Sequence, residues 1–162
     1  MILNPQEYYD KYLLHKEFAQ ISSNGIDVTL KAVKAIIGRG VVGIKEKQLP
    51  KYSEIYPITE EEGFFFLPKG HYSLEFNEGG IVPSGYAGIY KTRSTIIRCG
   101  AIVESGLFDT GFECNTFGAT LFVFNPDGIQ IQRNTPIAQL LFMSADEAYK
   151  YNGNYQKDKD VK

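Results

Sequence analysis

The chain is poor in the residues on which several common kinds of site depend. Its 162 residues include two cysteines, two histidines and no tryptophan. Cys99 and Cys114 have no Cys-x-x-Cys or His-rich spacing, and His15 and His71 have no useful spacing to each other. A zinc site or a histidine-based triad is therefore not indicated. The N-terminal segment also lacks the cationic and apolar regions of a signal peptide, so we expect a cytoplasmic protein with reduced thiols.

Other absences exclude further classes of partner. No apolar run approaches the length that crosses a bilayer, so no membrane association is expected. The net charge of −2 leaves no basic footprint for a nucleic-acid polymer, although a small anion needs only a local basic pocket. Neither a GxxxxGK[ST] nor a GxGxxG loop is present, so any phosphate site must be made of side chains.

What remains is dominated by β patterns. Short apolar or alternating runs, such as Phe64 to Leu67, Ile129 to Gln132 and Ile137 to Met143, are separated by Gly and Pro turns. This pattern predicts an all-β fold, a sandwich or jelly roll. One short helix is expected after Asn4, with Pro5 at its first position, continuing to Leu13.

Further expectations about local structure and domain organisation follow from composition. The charged segment from Lys45 to Glu62 is predicted to be a surface loop, and Asn77 to Gly80 a turn. Ala119 to Phe124 is apolar at nearly every position, which predicts a strand buried on both faces. Residues 1–162 are expected to form one domain, in which the polar tail 146–162 is flexible unless a ligand orders it.

One segment combines groups that bind anions. Arg93, Ser94 and Arg98 offer paired guanidinium donors and a hydroxyl, which suit phosphate oxygens. The alternative is that the two arginines are surface residues paired with nearby carboxylates.

Acidic and aromatic residues nearby complete a candidate nucleotide site. Asp109 lies between Phe108 and small residues, where a carboxylate can activate water, although it could instead cap its own turn. Phe112 could pack on a ribose and leave no room for a 2′-hydroxyl, or be a core residue. Asp27, at the head of a strand, could orient a hydrated metal or satisfy backbone donors.

The chain resembles the dUTPase and dCTP deaminase superfamily through an ordered set of short motifs. Residues 93–100 (RSTIIRCG) are similar to the deaminase RSSLARLG signature, and 106–112 (GLFDTGF) to the GVIDSDY and VDAGF elements. Residues 25–28 (GIDV) resemble the early GYDL element, 136–140 (PIAQL) the RIAQL element, and 151–156 (YNGNYQ) the deaminase tail.

This resemblance implies a distorted jelly-roll β fold with a short N-terminal helix, and a homotrimer with sites between subunits. The implied substrate is deoxyuridine or deoxycytidine triphosphate carrying Mg²⁺, with Asp27 reaching the metal at most through water. Arg93, Ser94 and Gln139 would hold phosphates, Asp109 would meet the 3′-hydroxyl and the catalytic water, and Phe112 would exclude ribonucleotides. Further predicted substrate-binding residues within the motifs are Arg98, Gly106, Tyr155 and Gln156; the subunit that supplies Arg98 stays open.

The departures from the motifs favour one chemistry. Deaminases of this superfamily carry a glutamate in a TLEF-like strand, and Phe122 occupies that position here. Because phenylalanine cannot relay a proton, we predict a dUTP diphosphatase in which Asp109 activates water. Two other departures concern the dUTPase motifs themselves and keep alternatives open: the chain lacks the Gly-rich, arginine-bearing tail of trimeric dUTPases, and Pro136 replaces the arginine before IAQL. The alternatives are a dCTP deaminase, alone or bifunctional, and a nucleotide-binding homologue without turnover.

Overall fold

A computed structural model describes residues 1–146, 151–153 and 155–158 of the chain. Its helical segments are α1 (Pro5–Lys11), α2 (Ser94–Arg98) and a 3₁₀ turn (Gln156–Asp158). Its strands are β1 (Leu13–Leu14), β2 (Gln20–Ile21), β3 (Ile26–Ile37), β4 (Val41–Val42), β5 (Lys47–Gln48), β6 (Lys51–Ile55), β7 (Phe64–Leu67), β8 (Gly70–Phe76), β9 (Gly79–Ile81), β10 (Tyr86–Thr92), β11 (Ala101–Glu104), β12 (Glu113–Cys114), β13 (Gly118–Val123), β14 (Ile129–Gln132) and β15 (Pro136–Ser144).

The long strand β3 organises the fold. The largest sheet has the strand order β10-β15-β3-β8-β13-β11, and β2 and β6 also pair with β3. A smaller sheet, β1-β9-β12, and the pairs β14-β7 and β4-β5 complete the strands of the described residues. The sheets enclose one buried apolar cluster that includes Leu30, Phe65, Phe76, Leu121 and Leu140. The predicted all-β, jelly-roll-like fold is confirmed.

The N-terminal helix forms where its capping signal predicts. The Asn4 side chain accepts hydrogen bonds from the backbone N–H groups of Gln6 and Glu7, at 2.9 and 3.4 Å, with Pro5 at the first helical position. The helix ends at Lys11, earlier than predicted, because Leu13 leaves it to pair with Gly80 of β9. The segment therefore gains sheet hydrogen bonds in place of another helical turn.

Three sequence predictions of local structure are wrong. The segment predicted to be a loop between Lys45 and Glu62 contains β5 and β6, because the twelve-residue β3 offers backbone groups that β6 satisfies. The turn predicted at Asn77–Gly80 is wrong in its second half: Asn77 and Glu78 separate β8 from β9, but β9 already begins at Gly79. The predicted strand Ala119–Phe124 corresponds to β13, in which Phe122 is 37% exposed, and Phe124, just after it, is 57% exposed, so this strand is buried on one face only.

The chain shows no feature of a membrane span. Within the described residues, no helix has both the length and the apolar character that crossing a bilayer requires.

Candidate active site

The loop between β11 and β13 forms one side of a cavity of about 430 Å³. Four of the predicted site residues line it: Asp109, Gly106, Phe112 and Tyr155. The opposite side comes from Lys34 on β3 and from Ser73 and Glu75 on β8. A cavity of this size suits a small ligand such as a nucleoside.

The neighbours of Asp109 are anchored in the protein and leave its carboxylate exposed. Phe108 and Thr110 are each 8% exposed, and Phe108 exchanges two backbone hydrogen bonds with Gly88, at 2.8 and 2.9 Å. The turn closes through Phe112, whose N–H donates to the Asp109 carbonyl oxygen, and needs Gly111 at φ +77°. Among the described residues, the Asp109 carboxylate has neither a hydrogen-bond donor nor a cation, so it does not cap its own turn.

Aromatic rings form the apolar part of the cavity. The Phe112 ring is half-buried and lies 5.8 Å from the Phe108 ring, centroid to centroid. Tyr151 meets Phe112 edge to face at 5.2 Å, and its N–H donates to the Thr110 carbonyl at 2.8 Å. The described tail residues therefore pack beside the Asp109 loop of the same chain.

Gln156 fastens this tail to the loop. Its side-chain amide donates to the Gly111 carbonyl and accepts from the Glu113 N–H, both at 2.9 Å. Lys157 lies 3.7 Å from the Glu113 carboxylate, and the Lys47 ammonium lies 5.3 Å from the Tyr155 ring centroid. Gln156 thus contacts the loop backbone and does not line the cavity. The predicted flexibility of 146–162 stays a prediction, because residues 147–150, 154 and 159–162 lie outside the described part.

A second group of predicted residues meets across three neighbouring strands. Asp27 of β3 is paired in register with Gln139 of β15, and Arg93 directly follows β10. The Asp27 carboxylate accepts from Gln139 Nε2 at 3.3 Å and lies 3.3 Å from Arg93 Nε. Gln139 Nε2 also donates to Ser22 Oγ. Both hydrogens of this amide are therefore used within the chain.

The remaining basic and hydroxyl groups lie on the surface. Ser94 and Arg98, at the two ends of α2, are both exposed. Neither these residues nor Asp27, Arg93 or Gln139 lines the Asp109 cavity. The single chain thus holds the predicted site residues as two separate groups.

Sequence reasoning missed Lys34, Ser73, Glu75 and Tyr151 in the cavity. Partial burial raises the pKa of Glu75, but the ammonium groups of Lys31 and Lys34, at 2.6 and 3.4 Å, outweigh burial and hold that pKa below its ordinary value. The sequence of β8 alternates apolar and polar residues, which indicates that the Glu75 side chain lies on the face of the strand that points away from the core. The pairing of β8 with β3 and β13, which brings Glu75 to the cavity, had no local signal.

Phe122 lies away from the Asp109 cavity. Its ring is 6.3 Å from the rings of both His71 and Phe124, on the exposed face of β13. A side chain at position 122 therefore does not line the cavity that holds Asp109.

Comparison with known proteins assigns the chain to a family. A family model described as dCTP deaminase-like matches residues 7–145. A probable deoxyuridine 5′-triphosphate nucleotidohydrolase of Methanosarcina barkeri is 38% identical over 143 residues, which cover 86% of this chain and 82% of that protein. One of Archaeoglobus fulgidus is 35% identical, covering 85% and 80%.

A solved structure shares the fold. The 2′-deoxycytidine 5′-triphosphate deaminase from Agrobacterium tumefaciens superposes with a TM-score of 0.63 at 11% identity over 87% of this chain. The match covers 46% of the deaminase, so this chain spans about half of its length. Because the family model covers most of the chain, this protein belongs to the dCTP deaminase-like family.

Proposed function

We propose that the chain is a dUTP diphosphatase, which hydrolyses dUTP to dUMP and pyrophosphate. The observation that carries this proposal is the Asp109 carboxylate, which lies at a nucleoside-sized cavity and has no partner among the described residues. Relatives of similar length described as probable deoxyuridine triphosphate nucleotidohydrolases support the same substrate.

In the proposed reaction, Asp109 accepts a proton from a water molecule as the water oxygen attacks the α-phosphorus. The bond between the α-phosphorus and the oxygen that bridges to the β-phosphate breaks, and pyrophosphate leaves with the electron pair. Arg93, Ser94 and Arg98 would bind the triphosphate, with Gln139 joining them if its amide turns from Ser22 and Asp27. Gly106, Phe112 and Tyr155 would enclose the nucleoside, and Gln156 would hold the loop in place.

Mg²⁺ is the proposed cofactor and would be carried by the triphosphate. No group of three or more His, Cys, Asp or Glu residues in the described part is placed to hold a metal directly, so triphosphate and water oxygens would be its ligands. When bound, Mg²⁺ supplies charge neutralisation at the phosphates. We also propose that the protein is a homotrimer, because a neighbouring subunit could bring the arginine group to the Asp109 cavity. The proposed location is the cytoplasm.

Assays of dUTP and dCTP, each with Mg²⁺, test this proposal. We expect pyrophosphate from dUTP, and a loss of roughly 100-fold or more in kcat for Asp109→Asn, the typical contribution of a general base. Asp127→Asn removes the same charge from an exposed site outside the cavity and should leave kcat unchanged. Full activity of Asp109→Asn would contradict the assigned role.

The second candidate is a dCTP deaminase, alone or bifunctional, and one observation favours it. Glu75 supplies a carboxylate at the same cavity, although Lys31 and Lys34 bind it. Release of ammonia from dCTP, abolished in Glu75→Gln, would establish this activity. Saturable nucleotide binding without pyrophosphate or ammonia would instead identify a binding protein without turnover.

A further inference from the structure

Asp27 is a nearly buried carboxylate whose two oxygens have different partners. It is 6% exposed, its Oδ2 lies 3.3 Å from Arg93 Nε, and its Oδ1 accepts from Gln139 Nε2 at 3.3 Å. Burial of a charged group is costly unless the group is paired and hydrogen-bonded. The two contacts, one from β15 and one from the residue that follows β10, satisfy that requirement.

The same contacts restrict the Arg93 guanidinium. Nε faces Asp27, and Nη1 donates to the Pro136 carbonyl at 3.3 Å. The backbone beneath is also tied, because the Arg93 N–H donates to the Ile137 carbonyl at 3.1 Å. A guanidinium has five N–H donors in a rigid plane, so two are held inside the subunit and three are left for a ligand. The Arg93 side chain is 38% exposed, which leaves that part of the group accessible.

We propose that Asp27 is a positioning residue, which fixes the plane and direction of the Arg93 guanidinium so that its remaining donors meet the triphosphate. This inference rests on the proposed function. It differs from the predicted contact of Asp27 with hydrated Mg²⁺, because both carboxylate oxygens are already engaged with Arg93 and Gln139. Holding the group before the ligand arrives lowers the entropy lost on binding.

Steady-state kinetics on the full chain test the inference. Asp27→Asn keeps the shape of the side chain and removes its charge, so the guanidinium loses its fixed direction. We expect KM for dUTP to rise about tenfold or more with a smaller change in kcat, since charge-assisted hydrogen bonds are the strong ones. The matched control is Asp127→Asn, an exposed aspartate outside both groups of residues, which should keep wild-type constants. Unchanged KM in folded Asp27→Asn overturns the inference.

A double-mutant cycle separates positioning from a general structural role. If Asp27 acts through Arg93, then Asp27→Asn should change KM by less than about twofold in an Arg93→Ala background. Effects of the two substitutions that multiply would show that Asp27 acts independently of Arg93, and would overturn the inference.

A third measurement needs no variant of Asp27. In the NMR spectrum of the free protein, the Arg93 Nε–H proton should be protected from exchange with water, whereas that of exposed Arg98 should exchange freely. Equal, rapid exchange at both would overturn the inference, even if Asp27→Asn fails to fold. If the wild-type chain neither binds nor cleaves dUTP, the proposed function fails, and the exchange measurement still decides whether Asp27 holds Arg93.

Discussion

Phe112 is the aromatic residue whose position beside Asp109 matters most for the choice of sugar. Its ring lines the cavity and is held against Phe108 and Tyr151. A rigid wall rejects a larger ligand by steric conflict. We expect Phe112→Ala to raise the ratio of kcat/KM for UTP to that for dUTP by about tenfold, the scale of discrimination that one small group gives.

Kinetic assays with both nucleotides measure this ratio. Phe124→Ala, which removes an exposed ring outside the cavity, should leave it at the wild-type value. An unchanged ratio in Phe112→Ala would show that the ring is only a packing residue.

Glu78 is a buried carboxylate with a defined effect on pH-dependent stability. It is 0% exposed and accepts hydrogen bonds from Thr29 N–H at 2.8 Å and Thr29 Oγ1 at 2.7 Å. Burial raises the pKa of Glu78 above its usual 4.5, and the Thr29 hydrogen bonds only partly offset this. Between the unfolded-state pKa and the higher folded-state pKa, the folded state binds more protons than the unfolded state, so this group's stabilising contribution is lost as the pH rises through the folded-state pKa.

Glu78→Gln should remove this pH dependence. Urea unfolding from pH 4 upward measures it: the stability of the wild type relative to Glu78→Gln should decrease as the pH rises. The opposite sign is expected for Glu75, whose pKa is lowered and whose contribution is lost as the pH falls. A constant difference between wild type and Glu78→Gln across pH would contradict the assigned effect of burial.

At the level of elements, β9 depends on close backbone contact. A Cβ at Gly79 would lie 2.0 Å from the carbonyl oxygen of Asn115, which no flexible side chain can relieve. We expect Gly79→Ala to lower the free energy of unfolding by about 3 kcal/mol or more, because overpacking forces the backbone to shift.

Gly118 of β13 provides the matched comparison. A Cβ there would make its nearest contact, with the Leu74 carbonyl oxygen, at an ordinary 3.5 Å. Gly118→Ala should therefore be neutral or slightly stabilising in the same urea titration, since alanine reduces the freedom of the unfolded chain. Equal stability of the two variants would show that the β9 contact is not tight.

The sequence predicted elements well where a local pattern determines them. β14 forms at Ile129–Gln132 with the expected alternation, and Asn4 and Pro5 begin α1. β6 was missed because its side chains are largely exposed and carry no apolar period, while its hydrogen bonds to β3 depend on a partner distant in sequence. The exposed face of Phe122 likewise depends on which sheet face β13 covers.

The residues of the candidate site likewise fall into a group whose proximity the sequence predicts and a group whose proximity depends on the strand order. Asp109, Gly106 and Phe112 lie within one loop, so their proximity followed from the sequence once the loop was recognised. The contact of Asp27 with Arg93 needs the strand order β10-β15-β3, which no local signal gives.

At the scale of the whole molecule, the central question is how the two groups of residues form one site. The arginine group lies beside β10, β15 and β3, while the Asp109 cavity lies between the β11–β13 loop and β8. Among the described residues of the single chain, no arginine lines the cavity. A cyclic homotrimer would resolve this, because a heterologous interface places one face of a subunit against a different face of the next.

Mixing two variants of strongly reduced activity tests that arrangement. Arg93→Ala keeps the Asp109 cavity, and Asp109→Asn keeps the arginine group. If each site takes Asp109 from one subunit and Arg93 from the next, trimers co-expressed with two different affinity tags and purified on both should show about one third of wild-type dUTP cleavage, since one of the three interfaces of every mixed ring joins an intact Asp109 to an intact Arg93. Light scattering on the doubly purified protein should give three chains. Activity equal only to the average of the two variants would show that both residues act within one subunit, or that they act in separate sites.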